Sequence, residues 1–262
     1  MNLSNPPESF FIGAWEIRLY GLMIGISMLL GLLLVCFLAK KKNIKSDDIL
    51  TLAIYVFPLA IIGARVYYCI FGDDHFSFAE FFKIWENGLS GLAVYGSIIG
   101  GALGVVLFCL VHKHNFLTIA DVVVQGVLLG QAIGRIGCYF GGCCYGIETA
   151  QSWLKMFPFS VQIDGQWHYA TFFYESFWNL VGVFVLLACS RLFCEKGSVL
   201  GAYLIWYGTG RAMIEGIRGD SLFVGSSGLK VSQMLSLILL AIGIFVLVHN
   251  YIVRRRQNGK EV

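Results

Sequence analysis

Charge is scarce in this chain of 262 residues. Only 13% of it is Asp, Glu, Lys or Arg, and proline occurs 4 times against 31 glycines. Soluble domains carry about 25% charge. A water-soluble fold would therefore lack the polar surface to cover a sequence that is 57% hydrophobic. A net charge of +3 is too small to hold a polyanion such as nucleic acid, and the apolar content excludes a disordered chain. The sequence also has no Ser/Pro linker, low-complexity tract or internal repeat, so residues 1–262 are expected to form a single polytopic membrane domain.

What is present is glycine, which lets helices approach closely in lipid, and long apolar runs, with a mean hydropathy of +0.73. About 20 mostly apolar residues cross a hydrocarbon core as a helix. The runs predict seven spans, at residues 17–39, 48–71, 91–111, 119–137, 172–192, 199–216 and 232–251. The first is too long for a signal-peptide core and has no basic region before it, so it is expected to remain as a span. Lys40, Lys41, Lys42, Lys45, Lys113, Arg191, Lys196, Arg254, Arg255, Arg256 and Lys260 all fall on one side, which makes that side cytoplasmic. The N-terminus is then outside and the C-terminus inside. The expected class is an all-α integral membrane protein of seven transmembrane helices. A small extracytoplasmic cap, residues 138–171, lies between helices 4 and 5. Residues 76–85 read either as an interfacial amphipathic segment or as a plain aromatic belt.

Eight basic residues remain: Arg18, Arg65, Lys83, Arg135, Lys155, Arg211, Arg218 and Lys230. Arg65, Arg135 and Arg211 lie inside predicted spans, where a charge costs roughly 2.5–3.5 kcal/mol. In Tyr207-Gly208-Thr209-Gly210-Arg211-Ala212-Met213-Ile214-Glu215-Gly216-Ile217-Arg218, Arg211, Glu215 and Arg218 stand at i, i+4 and i+7. Tyr207 stands one turn earlier, so all four share a helix face. Glu175 is another available partner. Structural ion pairing is one reading; a phosphate held by surplus arginine forks is the sharper one. A second constellation, Gly130 to Gly146, contains Gly134-Arg135-Ile136-Gly137 and then Cys138, Cys143 and Cys144. A third, Gly88 to Gly101, carries Tyr95. Together they suggest a cavity near the outer leaflet walled by a phenol and arginines. The Cys-x4-Cys-Cys spacing matches no standard zinc site. A disulfide from Cys138 to Cys143 or Cys144 is allowed in an oxidising compartment, and a catalytic thiolate is the less favoured reading.

These residues resemble the phosphatidylglycerol–prolipoprotein diacylglyceryl transferases of bacterial inner membranes. The likeness runs through Ile17-Arg18-Leu19-Tyr20, Gly63-Ala64-Arg65, Gly88–Gly101, Gly134-Arg135-Ile136-Gly137, Tyr174-Glu175-Ser176, Tyr207–Asp220 and Ser232–Ser236. It implies transfer of the diacylglyceryl group from phosphatidylglycerol to the lipobox cysteine thiol of a preprolipoprotein, with a thioether formed and glycerol phosphate released. It implies no metal, nucleotide or other cofactor. Arg135, Arg211, Tyr20, Tyr95, Tyr207 and Glu215 would be catalytic, and Arg135, Arg211, Gly134, Gly137, Gly146 and Arg218 would bind substrate. The sequence departs from the familiar pattern in four places. Tyr95 replaces a histidine, Cys138 an asparagine and Cys143 a glutamate, and Tyr169-Ala170 stands for a histidine-proline pair. The identity of the base is thereby open: Tyr95 suits a proton relay better than a base, and Glu215 is a second candidate. The alternative is a non-catalytic or re-purposed phospholipid-binding paralogue.

Overall fold

The long apolar runs become helices in the computed structural model, which describes residues 7–13, 15–71, 93–149, 151–163, 165–193, 195–219 and 230–258. The amphipathic segment expected at 76–85, the opening glycines of the Tyr95 motif and most of the stretch between the last two expected spans lie outside the described residues. A hairpin of β1 (Ser9–Ile12) and β2 (Trp15–Arg18) leads into helix α1 (Leu19–Lys41). Helices α2 (Ser46–Phe71), α3 (Val94–His112) and α4 (Phe116–Phe140) follow. After a 3-10 turn (Ser152–Leu154) and a second hairpin, β3 (Ser160–Ile163) with β4 (Gln166–Tyr169), come α5 (Thr171–Leu192), α6 (Ser198–Glu215) and α7 (Val231–Asn258).

Six of these helices, α1 to α5 and α7, are long and apolar enough to cross a membrane. The chain is thus an all-helical, multi-pass membrane protein with small β hairpins. Helix α6, expected as a span, forms as a helix. It falls short on hydropathy because Arg211, Glu215, Tyr203, Tyr207 and three glycines occupy its 18 positions. The segment after α4 is folded. It begins later than expected, because Cys138, Tyr139 and Phe140 continue the helix. Its own small core gathers Val161, Ala170 and Phe172 against Cys138.

The chain divides into two compact units, Met1–Leu34 with Asp121–Val262, and Val35–Ala120. In the second, α2 and α3 pack backbone to backbone: a Cβ placed on Gly96 would sit 2.2 Å from the Gly63 carbonyl oxygen. No side chain larger than hydrogen fits there, which is the close approach glycine permits in lipid. In the first unit, Val124, Leu128, Val183, Leu186 and Val199 form an apolar core from α4, α5 and α6. Asp121 fixes how α6 begins. Its Oδ2 accepts the Gly197 N–H at 2.7 Å and its Oδ1 the Leu200 N–H at 2.8 Å, satisfying amides that a helix leaves unpaired at its start.

The register of α5 against α6 is set by a reciprocal tryptophan pair. The Trp178 indole N–H donates to the Trp206 carbonyl, and the Trp206 indole N–H donates to the Trp178 carbonyl, each at 3.1 Å. The rings stack with centroids 4.5 Å apart. Gly182 and Gly210 lie under the indoles, where any Cβ would come within 2.2 Å of an indole nitrogen. The charged residues stand further along the same two helices.

Candidate active site

Glu175, on the second turn of α5 and 5% exposed, is the hub of the site. Its Oε2 lies 2.6 Å from Arg135 Nε, and its Oε1 lies 2.7 Å from Arg211 Nη1 and 3.1 Å from Arg218 Nη1. Glu215, 1% exposed, adds a second carboxylate 3.0 Å from Arg211 Nη2 and 4.0 Å from Arg218 Nε. Its backbone carbonyl accepts the Lys230 ammonium at 2.6 Å. Among the described residues, then, three guanidiniums converge on two buried carboxylates. Removing charges from water is expensive, and only dense mutual pairing with good geometry offsets that cost. The carboxylates also hold the planar arginine forks in fixed orientations.

The sequence spacing is borne out at Arg211 and Glu215, which pair one helical turn apart. Arg218 arrives differently. Helix α6 stops at Glu215, a turn follows, and Arg218 forms an isolated β-bridge with Gly146. Gly146 N–H donates to the Tyr169 carbonyl at 2.8 Å, and Ile147 N–H to the Ile217 carbonyl at 3.0 Å. A Cβ on Gly146 would meet the Ile217 oxygen at 2.6 Å. Glycine is required at 146 so that the folded segment after α4 can lie against the chain bearing Arg218.

The other expected residues fall into two groups. Tyr20 lies in the same unit, and a Cβ added at Gly137 or Gly141 would meet its ring at 3.5 Å and 3.3 Å. Gly134 faces Ile24 and Ser27 of α1. Tyr207 stacks on Tyr203 at 5.8 Å, and the Tyr203 hydroxyl accepts from Gln131 Nε2 at 3.1 Å. Tyr95 and Arg65 belong to the other unit. There the Tyr95 ring lies 6.1 Å from that of Tyr67, and buried Arg65 lies 5.6 Å from the Tyr68 ring.

Two features carry no assigned role in the sequence. Glu175 reads there only as one available partner, although a lone carboxylate in an apolar span is itself a functional signal. The second is the cysteine cluster. Arg135 Nη1 donates to Cys144 Sγ at 3.5 Å, and all three sulfurs of Cys138, Cys143 and Cys144 lie within 4.8 Å of one another as free thiols. Thiol hydrogen bonds from Cys138 and Cys143, helped by the Arg135 guanidinium, hold the Cys144 sulfur well below the usual thiol range. The Cys143 thiol, bonded to Cys138 and Cys144 and partly buried, is pushed up. Cys143 and Cys144 line a cavity of about 790 Å³ with Gly146, Glu148 and His168. A separate apolar cavity of about 540 Å³ lies along Phe173, Phe177, Trp178, Gly210 and Met213.

Residues 7–249 match the family model for prolipoprotein diacylglyceryl transferase. Among curated relatives, a phosphatidylglycerol–prolipoprotein diacylglyceryl transferase of Streptococcus agalactiae serotype Ia is 39% identical over 257 residues, covering 96% of each chain. One from Listeria monocytogenes serotype 4b is 36% identical over 251 residues, covering 93% of this chain and 89% of its own. Phosphatidylglycerol–prolipoprotein diacylglyceryl transferase 1 of Clostridium perfringens is 37% identical over 249 residues, covering 92% of this chain and 93% of its own.

Proposed function

The chain belongs to the prolipoprotein diacylglyceryl transferase family, and we propose that it moves the diacylglyceryl group of phosphatidylglycerol onto the lipobox cysteine thiol of a preprolipoprotein. A thioether forms and glycerol phosphate leaves, the lipid-attachment step of lipoprotein maturation. The observation that carries the mechanism is the Glu175 hub, which fixes Arg135, Arg211 and Arg218 before any substrate arrives.

The leaving group gains charge as its carbon–oxygen bond breaks. Arginine donors already aimed at that oxygen, in a site sheltered from water, stabilise the transition state without reorganising. Arg135 and Arg211 take this role. Arg218 and the two glutamates hold them in place. Tyr20 and Tyr207 offer hydroxyls in the same unit as those arginines. Gly134 and Gly137 let α1 pack closely on α4, and Gly146 admits the chain bearing Arg218, which shapes the headgroup site. The apolar cavity beside Trp178 suits an acyl chain.

Topologically, we infer one membrane domain over residues 1–262 that includes α6 as a seventh span. The N-terminus is outside, the C-terminus is cytoplasmic, and residues 138–171 form a cap on the outer face of the bacterial inner membrane. The basic residues at and beyond the C-terminal ends of α1, α3, α5 and α7 support that orientation.

The test uses purified protein in detergent with phosphatidylglycerol and a lipobox peptide. The expected products are free glycerol phosphate and a peptide heavier by one diacylglyceryl group. Bound phosphatidylglycerol with no release, beside an active relative, would overturn the reading.

A further inference from the structure

The cysteine cluster is a built feature. Cys143 N–H donates to the Cys138 carbonyl at 3.0 Å, and Thr171 Oγ1 donates to the Cys144 carbonyl at 2.7 Å. Gly142 at φ 58° and Cys144 at φ 60° both adopt the left-handed backbone, which side chains rarely take. Those two turns bring two adjacent cysteines back onto one near the end of a helix. Cys138 is buried, whereas Cys143 and Cys144 are half-buried and open onto the 790 Å³ cavity. Among the described residues no histidine or carboxylate joins the group.

We propose that Cys138, Cys143 and Cys144 bind one thiophilic divalent cation of the Zn2+ type, and that its open fourth position takes the thiol of the acceptor cysteine. The second half rests on the transferase reading above. Zn–S bonds of about 2.3 Å place three sulfurs about 4 Å apart, within the 4.8 Å found here. Soft thiolates select such ions, and three protein ligands with one open position is the arrangement of catalytic zinc. Three thiolates and a divalent cation carry one negative charge, and the Arg135 guanidinium, shared with Glu175, lies beside Cys144.

The chemistry follows from the acceptor. A free thiol has a pKa of about 8.5 and attacks only as thiolate; a metal-bound thiol is deprotonated outright. On binding, the acceptor thiol gives its proton to solvent. A sulfur electron pair then attacks the glyceryl carbon, the C–S bond forms and the C–O bond to phosphate breaks. That bonding pair leaves on the glycerol phosphate oxygen facing Arg135 and Arg211. The step needs no oxidant or reductant.

The experiment loads reduced, metal-stripped protein in detergent with Co2+ as the spectroscopic probe. Thiolate charge-transfer and d–d bands should saturate at one ion per chain. Cys143→Ser and Cys144→Ser should each weaken uptake by about 100-fold or more, beyond the 10–100-fold cost of losing a partner that merely orients a ligand. Cys109→Ser should leave uptake unchanged, and thermal stabilisation by phosphatidylglycerol verifies that each variant is folded. A lipobox cysteine peptide should shift the d–d bands, and its serine counterpart should not. Absence of saturable uptake, uptake indifferent to the Ser variants, or bands unmoved by the cysteine peptide would each overturn the proposal. Full transfer by stripped enzyme under chelator would overturn it too, while leaving the transferase reading intact. Bands that shift with peptide in a protein that never releases glycerol phosphate would uphold the metal site and sink the transferase reading instead.

Discussion

Helices α2 and α3 meet through glycine, whereas α5 and α6 meet through indoles and ions. At Gly63, Gly96 and Gly100 the backbones touch so closely that an added Cβ would fall within 2.4 Å of a carbonyl oxygen. Between α5 and α6, Trp178 and Trp206 exchange hydrogen bonds, and Glu175 reaches across to Arg211. The first contact is what a lipid-embedded pair needs to associate. The second carries buried charge that association alone would not require, since an ion pair is often no more stabilising than apolar packing of equal volume. The difference separates a helix pair joined by close packing from one that also carries the ion cluster of the proposed mechanism.

The comparison breaks most severely at Glu175. Glu175→Gln leaves three guanidiniums without their shared anion and should destabilise the protein by about 3–5 kcal/mol, read as a lower denaturant midpoint in detergent. Next come Arg135→Ala and Arg211→Ala. Each should lower transfer by about 10²–10³-fold, the usual cost of one preorganised donor, measured as glycerol phosphate release by folded protein. Gly96→Ala should cost about 1–3 kcal/mol of stability through overpacking yet keep full turnover per folded molecule. A turnover loss matching that of Arg211→Ala would erase the distinction between the two helix pairs. Smallest is Tyr95→Phe: loss of a hydroxyl in the glycine-packed unit should cost less than about tenfold in kcat, or roughly 1.4 kcal/mol. A loss of about 10³-fold would move part of the central chemistry into that unit.

Much of this is legible in the sequence, where local rules apply. The six apolar runs that form α1 to α5 and α7 follow from hydropathy, and Arg211 with Glu215 follows from i, i+4 spacing. Long-range pairings are not legible. Glu175 meets arginines 36 and 43 residues further along the chain, and Asp121 caps a helix 76 residues away. No periodicity encodes such distances. Arg218 fits helical spacing on paper, yet it reaches the site through the bridge to Gly146 after α6 has ended. The Cys-x4-Cys-Cys run looks unlike a ligand set because linear spacing does not show the left-handed turns at Gly142 and Cys144 that gather its sulfurs.

In the proposed mechanism Arg135 and Arg211 hold the phosphate of the lipid donor. A structure of the protein with phosphatidylglycerol bound tests this most directly. Phosphate oxygens are expected about 2.7–2.9 Å from both guanidiniums, the range of charge-assisted hydrogen bonds, with Glu175 still bridging them from behind. A phosphate bound at Arg65 instead, with Arg135 and Arg211 still closed on their glutamates, would contradict it.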